Sequence, residues 1–386
     1  MKEQNKFQVS YWERTHFLQP ADFIIIGSGL VGLNTALELR KIFRKEKITI
    51  VEKSFLPYGA STRNAGFACF GSMSEILSDI KTMGNDAALQ LVEKRILGIE
   101  KIKSSLGAKK VDFKNYGGYE LFFKKEDNTA LLSMNRMDEI NYYIDKQIGI
   151  KNCFSTAANR IKKFGFRNVN QMIFNKLEGQ IDTGKMMYEL LEKARKQKIQ
   201  IVNGLEIQSI EEHQKGCSLV IHDELKWEAK KVIVCTNAFS KSLLPELEIQ
   251  PARAQVLITT PLAGLKLKGT YHFDEGYYYF RNINNRVLIG GARNLAFEEE
   301  STIDFGITDK IQNQLKHLLE TRILPNTPFE VDMRWSGIMA FGKDKTPIVQ
   351  KMSKHKYVVA RLNGMGVALG GILAEEIAQK IKEDYS

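Results

Sequence analysis

Phe23-Ile24-Ile25-Ile26-Gly27-Ser28-Gly29-Leu30-Val31-Gly32 reads as a buried strand running straight into a glycine turn. Four consecutive apolar residues suit a parallel strand covered on both faces. Leu33, Ala36, Leu37 and Leu39 follow at helical spacing, and Ile48 to Val51 makes a second strand ending at Glu52. The first fifty residues therefore form one βαβ unit. In a G-x-G-x-x-G turn between strand and helix, Gly27 makes the tight turn and Gly29 lets a pyrophosphate approach the backbone, with Ser28 between them. Gly32 allows close helix–strand contact. Glu52, followed by Lys53, stands twenty residues beyond Gly32, where a carboxylate accepts from ribose hydroxyls. The pattern predicts a dinucleotide site and leaves FAD and NAD open.

Outward from this unit, 386 residues with 43% hydrophobic and 26% charged content make a folded chain with a sizeable core. Lys and Arg outnumber Asp and Glu by 56 to 45, a net charge of +11, but the two signs are interspersed. No basic cluster with interleaved aromatics stands out, and a nucleic-acid partner is not expected. Met1 to Gln19 is polar and does not read as a signal peptide, and no transmembrane segment is expected. Four cysteines without a CxxC pair and six histidines without ligand spacing predict no metal and a reducing, cytoplasmic setting.

A second α/β segment begins near Thr183, with a helix over 185–197, strands at 200–203 and 206–211, then 218–221 and 231–235. Antiparallel strands are expected between Pro251 and Asn294, and a last helix over 370–382 follows a glycine turn. The order predicts an α/β (α+β overall) chain. A Rossmann-like nucleotide part (1–75, 161–245 and 330–386) interleaves with a substrate part built on a large mixed or antiparallel sheet (76–160 and 246–329).

Gly59-Ala60-Ser61-Thr62-Arg63-Asn64-Ala65-Gly66 resembles the second signature of the D-amino-acid oxidase superfamily of flavoproteins, within it the gamma-glutamylputrescine oxidase branch. Ser10-Tyr11-Trp12, Thr236-Asn237-Ala238, Pro251 to Gln255, Val287 to Gly291, Trp335-Ser336-Gly337 and Asn363-Gly364-Met365-Gly366 extend the resemblance along nearly the whole chain. The resemblance implies non-covalent FAD. Ser28, Gly29 and Ser61 would lie at the pyrophosphate, and Arg63, Asn64, Ala65 and Gly66 beside the flavin. Ile207 would hold the adenine by its backbone, and Gly364 and Gly366 would aim a helix N-terminus at the flavin. Thr236, Asn237, Gly337, Asn363 and Met365 belong to the same expected cofactor set.

The implied chemistry is oxidation of a CH–NH bond in a small amine or amino acid, with hydride passing to flavin N5, an imine that water hydrolyses, and electrons passing on to oxygen or another acceptor. The arginine that grips an α-carboxylate in glycine and D-amino-acid oxidases is replaced here within Ile338-Met339-Ala340-Phe341. Tyr279, His272, Arg281 and Met365 are the candidate catalytic residues. Sheet packing is the other reading for each, and Arg293 is a further candidate charge. Strand alternation would put Tyr277 and Tyr279 on one face and Tyr278 on the other. The alternatives are a flavoprotein acting on a modified tRNA base, a membrane-surface dehydrogenase using quinone, a non-catalytic flavoprotein and an NAD-dependent dehydrogenase.

Overall fold

A computed structural model describes residues 8–124, 127–222 and 225–385. Its first sheet has the order Ile348–Lys351, Lys356–Ala360, Leu225–Val234, Ala21–Ile26, Ile48–Glu52, Gln200–Asn203. Ala21–Ile26 lies centrally, parallel to both neighbours. Its apolar run is continuous because both faces are covered. Phe23 and Ile25 pack with Leu33 and Leu37 of the Leu30–Ile42 helix and with Leu369 and Leu373 of the C-terminal helix. Ile24 and Ile26 pack with Leu219 and Trp227 on the other side. The nucleotide sheet extends through Gly216–His222 and Ser209–His213, so Ile207 lies in the loop before a strand rather than inside one.

The second sheet has eight strands in the order Val331–Phe341, Gln250–Thr259, Arg286–Gly291, Tyr278–Ile283, Thr270–Phe273, Gly118–Phe122, Gln171–Asn175, Phe154–Thr156. All pairings are antiparallel except Thr270–Phe273 with Gly118–Phe122, so the sheet is mixed. On one face Tyr278 stacks on Phe273 and Phe280 on Tyr271, and Ile311 and Leu315 of the Asp309–Leu318 helix cover them. Two strands depart from the expected division of the chain. Gln171–Asn175 and Val331–Phe341 pair in this second sheet, although the sequence order places 161–245 and 330–386 in the nucleotide part. Val331–Phe341 pairs with Gln250–Thr259, a segment far back in the chain, and such long-range pairing leaves no local trace.

The C-terminal helix, Gly366–Tyr385, begins four residues before the expected start and crosses the Leu30–Ile42 helix at Gly370. A Cβ on Gly370 would lie 2.4 Å from Leu30 Cδ2. The missing side chain lets the two helices meet at their N-terminal ends. That brings two sets of first-turn N–H groups without intrahelical partners to one place. Among the described residues, no helix is long and apolar enough to cross a membrane.

Candidate active site

Both helix N-termini open on a cavity of about 1040 Å³ that runs from the nucleotide sheet to the free face of the second sheet. The glycine turn forms one end. Gly27 adopts φ +104°, and the carbonyl of Cys235 would stand 2.9 Å from a Cβ there. Glu52 Oε2 accepts from the Ser28 N–H at 2.9 Å and from its hydroxyl at 2.8 Å, and the Ser54 N–H donates to Oε1 at 3.1 Å. The carboxylate is therefore held in one orientation with acceptor capacity to spare. The Leu30 N–H donates to Ser61 Oγ at 2.8 Å, which ties the second signature to the first.

That second signature is a short loop locked onto the large sheet. Arg63 donates to the carbonyls of Tyr58 and Ser336, and Trp335 Nε1 donates to the Arg63 carbonyl at 2.9 Å. Asn64 Oδ1 accepts from the Gly66 N–H at 2.8 Å. A Cβ on Gly337 would sit 3.3 Å from Arg63 Cβ, so this glycine serves loop packing as well as the cavity wall.

Most of the expected cofactor residues line this one cavity. Gly27, Gly29, Glu52, Lys53, Ser61 and Ile207 lie toward the nucleotide sheet, with Thr236 and Asn237. Arg63, Asn64, Ala65, Gly337 and the run Asn363–Gly366 lie toward the second sheet. Three do not reach it. Ser28 is buried behind Glu52, Gly32 is a packing residue under the turn, and Gly66 faces Arg281. Lys53 is drawn aside by Glu206 at 2.7 Å.

The candidate catalytic residues separate. Tyr279 and His272 line the cavity, as does Met365, whose sulfur lies 3.8 Å from Cys69 Sγ. Tyr277 and Tyr279 share the cavity face and Tyr278 points into the core, as alternation requires. Burial pushes the Tyr279 phenol up to about 12, so it is a hydrogen-bond donor at neutral pH. Arg281 is a correction: it lies outside the cavity, donating to the carbonyls of Gly66 and Ile181 at 2.8 and 3.0 Å. Its guanidinium clamps two chain segments together. A strand arginine offers no sequence signal separating that role from substrate contact.

The structure adds acids that the sequence reading missed. His272 Nε2 meets Glu178 Oε2 at 3.0 Å, and Nδ1 lies 3.7 Å from Glu75 Oε2. Burial opposes charge on the ring, but Glu178 and then Glu75 outweigh it and raise His272 to about 9. Glu75 feels burial too, yet His272 and Lys345 hold it below the usual carboxylate range. Glu120, bonded to the Ser74 hydroxyl, is raised by burial to about 7. Cys69 Sγ, Glu178 and His272 place donor atoms within 4.8 Å of one another. The ring nitrogen meets Glu178, and burial with both carboxylates pushes the Cys69 thiol well up. Only the capping box Ser72-x-x-Glu75 left a sequence signal for any of these acids.

Glu120 gives a direct test. Its folded-state pKa lies above the ordinary 4.5, so the folded chain binds this proton more tightly. The associated stability is present below about pH 4.5 and is lost as pH rises through about 7. Glu120→Gln should therefore be more stable than the parent above pH 7, by on the order of 2 kcal/mol, with the gap closing in acid. Thermal unfolding across pH measures it, and a gap independent of pH would refute the assignment.

A family model of FAD-dependent oxidoreductases, DAO, matches residues 22–380. The chain belongs to this family. A probable oxidoreductase from Haemophilus influenzae, OrdL, is 24% identical over 95% of this chain and 84% of its own length. Glycine oxidase from Geobacillus kaustophilus has a TM-score of 0.75 at 17% identity, with 95% of each chain covered. L-proline dehydrogenase from P. horikoshii has a TM-score of 0.74 at 18% identity, covering 95% of this chain and 94% of that one. These structural likenesses establish the fold.

As a DAO-family oxidoreductase, the chain uses FAD. The cavity fits that cofactor on its own terms. Two helix N-termini face it, at Leu30 and Gly366, matching a ligand with a pyrophosphate and a ring edge that gains negative charge. Asn363 Oδ1, buried beside Gly364, has no hydrogen-bond partner among the described residues. An acceptor left unpaired at a cavity wall suits a ligand donor.

Proposed function

We propose that this FAD-dependent oxidoreductase oxidises a CH–NH bond of a small amine or amino acid to an imine, which water then hydrolyses. One observation carries the reading: the cavity that begins at Gly29 and Glu52 ends against Tyr279, His272 and Glu75. Bound FAD supplies the hydride acceptor. The protein's own residues then have two tasks, to orient the Cα–H and to manage the amine's proton.

An amine arrives as an ammonium and must lose a proton before its Cα–H can leave as hydride. Glu75, ionised and facing the cavity, suits the cationic end of such a substrate. The cluster behind it offers storage for the proton, because Glu120 changes charge near pH 7 while His272 stays protonated. Phe67 packs edge-on against both His272 and Tyr279, which keeps that wall apolar between its polar tips. Non-covalent attachment is supported by Cys69, the cysteine closest to the Met365 turn, whose thiol is held protonated and so is a poor nucleophile.

The test is anaerobic absorbance of the purified holoprotein with a panel of amines and amino acids. Bleaching of the oxidised-flavin bands by at least one member, followed by recovery on admitting air or an added acceptor, is the expected result. A stably yellow protein that no panel member reduces would refute amine oxidation.

A further inference from the structure

Cys69, Glu178 and His272 come from three distant parts of the chain, so no ligand spacing shows in the sequence. The fold fixes their meeting. Phe67–Ala68 pairs antiparallel with Gly179–Gln180, and that register, continued by one residue, sets Cys69 opposite Glu178. His272 stands in the buried strand Thr270–Phe273. A thiol, an imidazole nitrogen and a carboxylate oxygen thus lie within 4.8 Å of one another, all three residues buried. Zinc bonds of about 2.3 Å to sulfur and about 2.0–2.1 Å to nitrogen or oxygen separate tetrahedral ligand atoms by roughly 3.3–3.8 Å. His272 Nε2 and Glu178 Oε2 are 3.0 Å apart, and drawing in the sulfur asks on the order of 1 Å of side-chain movement.

The surroundings match those of a metal ligand set. A ligating imidazole is oriented by a carboxylate at its other nitrogen, and a ligating carboxylate is itself hydrogen-bonded. Here His272 Nδ1 faces Glu75 Oε2 at 3.7 Å, and the Thr270 hydroxyl donates to Glu178 Oε2 at 2.9 Å. The Met365 sulfur, 3.8 Å from Cys69 Sγ, adds a second soft atom. Cys69, His272 and Met365 all line the cavity, which gives an ion its way in.

Charge selects the ion. Burial and the carboxylates of Glu178 and Glu75 keep a proton on the Cys69 thiol. Burial opposes a charge on His272, but the same two carboxylates hold its proton. A divalent ion that displaces both protons to solvent leaves the net charge of the buried group unchanged, whereas a monovalent ion leaves it one charge more negative. Magnesium and calcium prefer oxygen and have no use for the thiolate.

We propose that Cys69 Sγ, His272 Nε2 and Glu178 Oε2 form a zinc-binding site at the end of the cavity, with the Met365 sulfur beside it. The test uses tag-free holoprotein, stripped with EDTA, desalted and titrated with zinc alone. One zinc per chain should survive a second desalting, and the unfolding temperature should rise by about 2 °C or more. Cobalt(II) in place of zinc should give the intense red-region absorption of a tetrahedral, thiolate-bound ion, beyond the flavin bands. Cys69→Ala and Glu178→Gln should each weaken zinc binding by roughly a hundredfold or more. The cobalt spectrum needs no variant, so it carries the test if either substitution prevents folding. No zinc retained by the parent, a pale octahedral cobalt spectrum, or undiminished binding in Cys69→Ala would each overturn the proposal. The first would leave the group an ion-pair cluster only, and the other two would put the metal at an adventitious surface site. None of these readouts needs a substrate, so they stand apart from the amine-oxidation reading.

Discussion

Gly32→Ala is expected to yield protein with a small fraction of the parent's flavin and a markedly lower unfolding temperature. The added Cβ would lie 1.9 Å from the Gly27 carbonyl oxygen and 3.3 Å from Ile25 Cγ2. Neither can swing aside, since one is backbone and the other belongs to a fully buried strand residue. The helix must lift from the turn, at a cost of about 3 kcal/mol or more. That movement also displaces the Leu30–Ile42 N-terminus from the cavity and loosens its crossing with Gly370. Gly29→Ala is the graded comparison. Its Cβ would meet Ser61 Oγ at 3.0 Å, a hydroxyl on a side chain able to rotate, so its flavin loss should be the smaller. Flavin-to-protein ratio after desalting reads both, and full flavin in Gly32→Ala would refute the assignment of the turn to the nucleotide.

His272→Gln should destabilise the fold by about 3–5 kcal/mol at neutral pH, because it leaves Glu178 and Glu75 buried without their shared cation. The parent carries a related pH dependence. His272 has a folded-state pKa raised from 6.5 to about 9, so its stabilisation is complete below about pH 6.5 and is lost as pH rises through about 9. The variant should lack that alkaline loss and should regain stability in acid, where the orphaned carboxylates can take protons. Denaturant unfolding at several pH values measures both slopes. A variant as stable as the parent at pH 7 would show that the ring is not the counter-ion of the cluster.

The two halves of the site were unequally legible. Gly27, Gly29 and Glu52 were readable because their constraints are local: a turn, a helix start and a strand end within about thirty residues. The C-terminal glycine turn was readable through the resemblance, although the helix after it begins at Gly366 rather than Gly370. Alternation placed Tyr277 and Tyr279 together, but it assigns a face without saying what that face meets. Arg281 illustrates the gap. It shares a strand with Tyr279, and two residues along the pleat it binds the backbone of another segment instead of the cavity.

The nucleotide end of this protein is written in contiguous sequence, since a strand, three glycines and an acid specify their own geometry through short-range sterics and hydrogen bonds. The acid cluster beyond it is assembled from Glu75 in a helix, Glu120 and His272 in paired strands, and Glu178 in a loop. Glu120 and Glu178 read in sequence as ordinary polar residues. Their charges matter only because the second sheet and the helix over 73–83 bury them together, and burial is what turns neighbouring carboxylates and imidazole into a coupled cluster. That long-range desolvation belongs to the folded chain.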